Sequence, residues 1–155
     1  MLLWLITLAA LLAFRVTATS AQLAIIVHPS NTAPIGYDEV LHLYLNKARD
    51  FASSADTSTM TTAALVLHVN RSDPLHAQFC MQLMNMSPSQ YKSYWSRLLF
   101  AGSATAPLYL DSQQQLLERV MQQPNAIGYV AADADLSKVR VLGYLSQGQW
   151  QPVSK

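Results

Sequence analysis

Short apolar runs alternate along this chain with amphipathic stretches. Leu23-Ala-Ile-Ile-Val27 is continuous and β-branched toward its end, the mark of a buried strand. His28-Pro29-Ser30-Asn31 breaks it, and Pro34-Ile35-Gly36 continues the loop. From Tyr37 the period becomes helical, with Val40, Leu41, Tyr44 and Leu45 on one compact face. Asp38 and Glu39 open that helix and Lys47 and Arg49 follow it, the signs that suit the helix dipole. Residues 52–62 hold only Ala, Ser, Thr, Asp and Met without periodicity, and predict a polar loop.

Ala63-Ala-Leu-Val-Leu-His-Val69 predicts a second strand, followed by the turn Asn70-Arg71-Ser72-Asp73-Pro74. Asp73 suits an N-cap, and Pro74 suits the first helical position, where its missing N–H costs nothing. Leu75, Phe79, Cys80 and Leu83 share one face of the helix that follows. Ser87-Pro88-Ser89-Gln90 is a capping box, opening a helix with Tyr91, Tyr94, Trp95, Leu98 and Leu99 at helical spacing and Gly102 as its C-terminal cap. Asp111-Ser-Gln-Gln114 opens another, with Leu116, Leu117, Val120 and Met121 as its buried stripe and Pro124 as its stop. Ala126-Ile-Gly-Tyr-Val130 and Val139-Arg-Val-Leu142 predict two more strands, joined through the turn residues Asp135 and Ser137. Gly128 inside a strand pattern marks a bulge or a close backbone approach. The order β-α-β-α-α-α-β-β predicts an α/β fold, a small mixed sheet flanked by helices.

The first residues belong to a different pattern. Leu2 to Phe14 is apolar except for Thr7, too short for the ~20 residues that span a bilayer. Thr19-Ser20-Ala21 places small side chains where signal peptidase needs them, so residues 1–21 read as a cleaved secretory signal. Retention as a membrane anchor is the alternative, since no Lys or Arg precedes the apolar run. Residues 22–145 then form the domain and 146–155 a C-terminal tail.

Composition narrows the function. The 155 residues carry a net charge of +1, are 51% hydrophobic and 12% charged, and include one cysteine. Loss of Arg15 with the signal leaves basic and acidic residues equal in number. This balance gives no footprint for nucleic acid. A lone Cys80 excludes an internal disulfide, and in an exported protein it reads as a buried small hydrophobe.

Catalytic signatures are missing: there is no Gly-x-Ser-x-Gly, His-Glu-x-x-His, Cys-x-x-Cys or glycine-rich phosphate loop. His28, His42, His68 and His76 show no metal-ligand spacing and read as structural or surface residues. The expectation is a non-enzyme without a cofactor. The aromatic stripe Tyr91, Tyr94 and Trp95 reads as core. Two loops could hold a ligand: His28-Pro-Ser-Asn31 after the first strand and Asn70-Arg-Ser-Asp-Pro74 after the second. Loops beyond the carboxyl ends of strands bind ligands in open α/β sheets, and helix N-termini attract anions. The alternative is that Asp73 caps its helix, Arg71 is solvated and Ser72 is a turn residue.

Four segments, in order, resemble the substrate-binding proteins of phosphate ABC transporters, of the type 2 periplasmic binding protein superfamily, and especially their short, half-length relatives. They are Ile25-Ile-Val-His-Pro-Ser-Asn31, Val40-Leu-His-Leu-Tyr-Leu-Asn-Lys-Ala-Arg-Asp-Phe51, Ser87 to Gly102, and Pro124-Asn-Ala-Ile-Gly-Tyr-Val130. The resemblance runs from about Leu23 to Leu142. It implies one lobe of a two-lobed binding protein in the periplasm, binding a small anion such as phosphate and working with an inner-membrane permease or sensor protein. The residues that would contact the anion are Ser30, Asn31, Arg71, Ser72 and His76. At the ligand loop the phosphate binders carry Ser-Gly-Thr-Arg, and this chain has Asp73-Pro74-Leu75-His76 instead. That departure supports a second expectation, an accessory or protein-interaction and signalling module on the same fold with no tight small-molecule ligand.

Overall fold

A computed structural model describes residues 21–51 and 63–153; residues 1–20 of the expected signal and the polar stretch 52–62 lie outside the described residues. The elements are β1 (Leu23–Val27), α1 (Tyr37–Tyr44), β2 (Leu65–Val69), α2 (Pro74–Met84), α3 (Pro88–Phe100), β3 (Leu108–Leu110), α4 (Gln113–Gln122), β4 (Ala126–Ala131), β5 (Arg140–Ser146) and β6 (Gln149–Pro152). They build one sheet of order β3-β2-β4-β1-β5-β6.

Strands β2, β3 and β4 run parallel, while β1 is antiparallel to both β4 and β5. All five residues of β1 are fully buried. A strand with neighbours on both edges and helices over both faces has no solvent side, which is why its sequence is continuous rather than alternating. Side chains of β4 show the two faces. Tyr129 stacks on Phe79 of α2 at 3.7 Å, whereas Gly128 meets α4. Tyr44 of α1 also packs on Phe79, so α1 and α2 share one face and α4 covers the other. Helix α3 lies outside α2, where Leu45, Cys80, Tyr91 and Trp95 form a second small core.

Local signals act as expected. Asp73 Oδ1 accepts from the Leu75 N–H at 2.8 Å. Ser87 Oγ accepts from the Gln90 N–H, and Gln90 Oε1 accepts from the Ser87 N–H, the reciprocal pair of a capping box. The start of α4 is capped by Ser112, one residue beyond the predicted Asp111, because Ser112 Oγ takes the Gln115 N–H. Leu99, placed on the apolar stripe, is 42% exposed, since α3 buries only Tyr91 and Trp95 fully.

Two strands differ from the prediction. β3 is three residues long and pairs in parallel with β2 from some forty positions away, too short and too distant to carry a periodic signal. β6 lies in the segment 146–155 expected as a tail. Gln147 (φ 51°) and Gly148 (φ 72°) both adopt the left-handed conformation, which turns the chain tightly so that Gln149–Pro152 pairs back on β5. The predicted Val139–Leu142 strand is accordingly longer, reaching Ser146.

Gly128 is a close approach rather than a bulge: a Cβ there would lie 2.4 Å from Leu116 Cδ2 of α4. Gly128→Ala therefore forces α4 away from the sheet. Overpacking of this kind costs about 1–3 kcal/mol, and a lowered midpoint in urea-induced unfolding is the expected result. An unchanged midpoint would show that Leu116 can move aside freely.

Candidate functional site

The parallel strands set the polarity of the sheet. Their carboxyl ends, Val69, Leu110 and Ala131, lie along one edge, and β1 enters from that edge, with Ala132 N–H bonded to Gln22 O. Val27 lies level with Ile127, and Ile127 with Val66. Asn70 is four residues further along β2, roughly 13 Å at ~3.3 Å per residue. The loop after β1 and the loop after β2 therefore sit at opposite ends of the sheet. Both follow strand carboxyl ends, but the strands run in opposite directions.

The five candidate residues consequently separate into three groups. Ser30 and Asn31 lie at the far end and serve their own loop. His28 Nδ1 is 2.6 Å from Ser30 Oγ, Asn31 Oδ1 accepts from the Ala33 N–H, and Arg140 Nη1 donates to the carbonyls of Asn31 and Ala33. Arg71 and Ser72 are exposed at the carboxyl edge. His76 is 1% exposed and points into the protein.

Around Arg71 the edge forms a shallow hollow of about 280 Å³, lined by Asn70, Arg71, Tyr109, Leu110 and Asp111. The Arg71 guanidinium carbon stands 4.4 Å from the centre of the Tyr109 ring, a cation–π contact. Tyr109 comes from β3, the strand without a sequence signal. Ser72 directs both its N–H and its Oγ to Asn70 Oδ1, at 3.1 and 3.0 Å. The N-terminus of α2 is closed in the same way. Pro74 has no N–H, Leu75 N–H is taken by the Asp73 carboxylate, and His76 N–H by the Asp73 carbonyl. The helix end thus offers an anion no donor from its first three residues, and Arg71 is the cation that lines the hollow beside it.

Beneath Arg71 lies a buried polar chain. Tyr109, His68 and Tyr129 are neighbours across β3, β2 and β4 on the α2 side of the sheet. His68 stacks on Tyr109 at 5.0 Å, and His76 meets Tyr109 edge-on at 5.7 Å. With both imidazoles neutral the protons order themselves. Tyr91 donates to the Tyr44 carbonyl at 2.9 Å, so its oxygen accepts from His68 Nε2 at 3.0 Å. His68 Nδ1 then accepts from Tyr129 Oη at 3.2 Å, and Tyr129 in turn accepts from His76 Nδ1 at 3.1 Å. His76 Nε2 is left facing Cys80 Sγ at 3.7 Å. Each donor is used once.

Burial governs the ionisation of this cluster. It holds His68 well below its ordinary value, helped by His76 and Arg71, and lowers His76, helped by Arg71 and opposed by Asp73. It pushes the Cys80 thiol up to about 12 and Tyr129 and Tyr91 upward as well. Cys80 is therefore a protonated, wholly buried thiol, as the sequence suggested, and no thiolate nucleophile stands beside His76. Among the described residues no group of three His, Cys, Asp or Glu side chains could hold a metal ion. No helix among them is long and apolar enough to cross a membrane.

No family model and no curated protein sequence matches the chain. Its fold, however, is that of phosphate-transport binding proteins. An ABC-type phosphate transport receptor from Vibrio cholerae superposes with a TM-score of 0.57 at 14% identity, over 79% of this chain and 47% of that one. PstS from Borrelia burgdorferi gives 0.55 at 13% identity, over 78% and 47%. The chain thus spans about half the length of these structures, and its mixed sheet with helices on both faces matches one lobe.

The neutral histidines have a consequence for stability. A histidine whose folded value lies below its unfolded value of 6.5 takes up protons more readily when unfolded. Stability is thus fully present above about pH 6.5 and is lost progressively as the pH falls toward the folded values. Urea midpoints should drop between about pH 7.5 and about pH 5.5, and a flat profile would show that these rings take up protons in the fold as readily as in the unfolded chain. Tyr129→Phe removes the hydroxyl shared by His68 and His76. It should cost about 1–3 kcal/mol, the penalty of unpaired buried polar groups.

Proposed function

We propose that this chain is an exported, solute-binding-type module that holds a small inorganic anion such as phosphate weakly at the carboxyl edge of its parallel strands. Arg71 makes the contact, and Ser72 joins it by turning its hydroxyl from Asn70. The observation that carries this reading is the exposed Arg71 guanidinium held over Tyr109 at the sheet edge where open α/β folds bind ligands. The fold shared with phosphate-transport proteins supports the choice of anion. Weakness follows from the openness of the hollow. One cation in contact with water forms one or two charge-assisted hydrogen bonds of about 1.5–3 kcal/mol each, which corresponds to a Kd near ~1 mM. The proposed setting is the periplasm, after cleavage of residues 1–21, with a membrane permease or sensor as the partner.

A second reading is an accessory or interaction module with no tight ligand. It is favoured by the self-satisfied loop: Asp73 occupies the N-terminus of α2, and Asn70 occupies Ser72. Asp111 also lines the hollow and repels an anion.

Isothermal titration with phosphate and with sulfate decides between them. The anion reading expects saturable heat that Arg71→Ala weakens by about tenfold or more, with Ser30→Ala unchanged because Ser30 lies at the other end of the sheet. Absence of heat with either anion would leave the interaction module as the function.

A further inference from the structure

We propose that anion binding at Arg71 is coupled to uptake of one proton by His76, so that the buried histidine makes this edge pH-responsive. The inference rests on the anion reading above and adds its regulation. Arg71, Tyr109, His68 and His76 form one contiguous stack. The guanidinium lies 4.4 Å from the Tyr109 ring, and both imidazoles touch that same ring at 5.0 and 5.7 Å. The exposed charge of Arg71 is thus held one aromatic ring away from two buried histidines, and the protein between them screens it less than bulk water would. An anion on Arg71 cancels part of that charge, and the coupling is reciprocal: whatever the anion does to the proton, the proton does to the anion.

His76 rather than His68 takes the proton. Both His68 nitrogens are committed, Nε2 to Tyr91 and Nδ1 to Tyr129. Protonating Nδ1 would turn it and the Tyr129 hydroxyl proton against each other. Among the described residues the hydrogen-bond partner of His76 Nε2 is the Cys80 sulfur at 3.7 Å, a weak one. The proton comes from solvent, because a thiol pushed up to about 12 keeps its own. The groups facing His76 are Arg71 and Asp73 from the loop before α2, Cys80 from α2, His68 from β2, Tyr109 from β3, Tyr129 from β4 and Tyr91 from α3. Of these Arg71 is the only permanent cation and Asp73 the only carboxylate. Burial and Arg71 keep the ring neutral, and an anion relieves the second of these.

Two measurements on the intact protein test the coupling. The first follows the four histidine rings by NMR through a pH titration, with His76 assigned from its loss in His76→Asn. The His76 midpoint should rise on saturation with the anion, and should rise in Arg71→Ala with no anion present. The second is titration with sulfate, a dianion throughout the range, with phosphate run beside it, at about pH 7.5 and about pH 5.5. Affinity should increase as the pH falls, by up to about tenfold per pH unit for one coupled proton, and His76→Asn should abolish the increase. Anion binding that depends on Arg71 but is equal at the two pH values would overturn the coupling and leave the binding reading standing. No binding at either pH would overturn both. If His76→Asn does not fold, the Arg71→Ala titration still decides: an unmoved histidine midpoint would overturn the coupling.

Discussion

The structure depends on one buried chain of hydrogen bonds, running from Cys80 through His76, Tyr129, His68 and Tyr91 to the backbone of Tyr44. Its members come from α2, β4, β2, α3 and α1, so five elements are tied by groups that each have one partner to give and one to take. Buried polar atoms left without partners cost more than paired ones return, and that asymmetry makes such a network selective. A helix shifted by half a turn would strand an imidazole or a phenol in the core. Hydrophobic packing brings α1 and α2 onto the sheet through Phe79, Tyr44 and Tyr129. The chain of protons then decides how they sit.

The same cluster links interior to surface. Tyr109 is a half-buried ring shared by two imidazoles and one guanidinium. The exposed charge of Arg71 is consequently in electrostatic contact with groups that water does not reach. At the opposite end of the sheet Arg140 does the reverse. It spends its guanidinium on the carbonyls of Asn31 and Ala33 and fixes the loop after β1. Two arginines near two loops thus have different work: one closes a turn and the other is presented.

Strand direction is what divides them. β1 enters the middle of the sheet against the direction of β2, β3 and β4, and its carboxyl end emerges where theirs begin. The chain spans about half the length of the phosphate-transport structures it superposes on. Asp73 at the head of α2 keeps for the helix the donors that an anion would otherwise use.

Much of the fold was legible because its signals are local. The apolar run of β1, the Asp73-Pro74 start of α2, the capping box at Ser87 and the close approach at Gly128 each depend on a few neighbouring residues, and each appears in the structure. β6 was lost because its signal was a Gln-Gly turn within a polar segment, and β3 because three residues carry no period. The site was less legible. Arg71 could be named from its place after a strand, but Tyr109 could not, since parallel pairing joins it to His68 without any trace in the intervening sequence. Ser30 and Asn31 fall in one set with Arg71 on the sequence because it shows that a strand ends, not which way it runs. By itself, then, the sequence determined the elements that carry a local signal, most of their caps and most of their apolar faces, which follow from contacts within a turn or two. The tertiary structure alone decided strand direction, the burial of His76 and the union of Arg71 with Tyr109 and the histidines. Those follow from pairing between distant segments, whose energy no local pattern records.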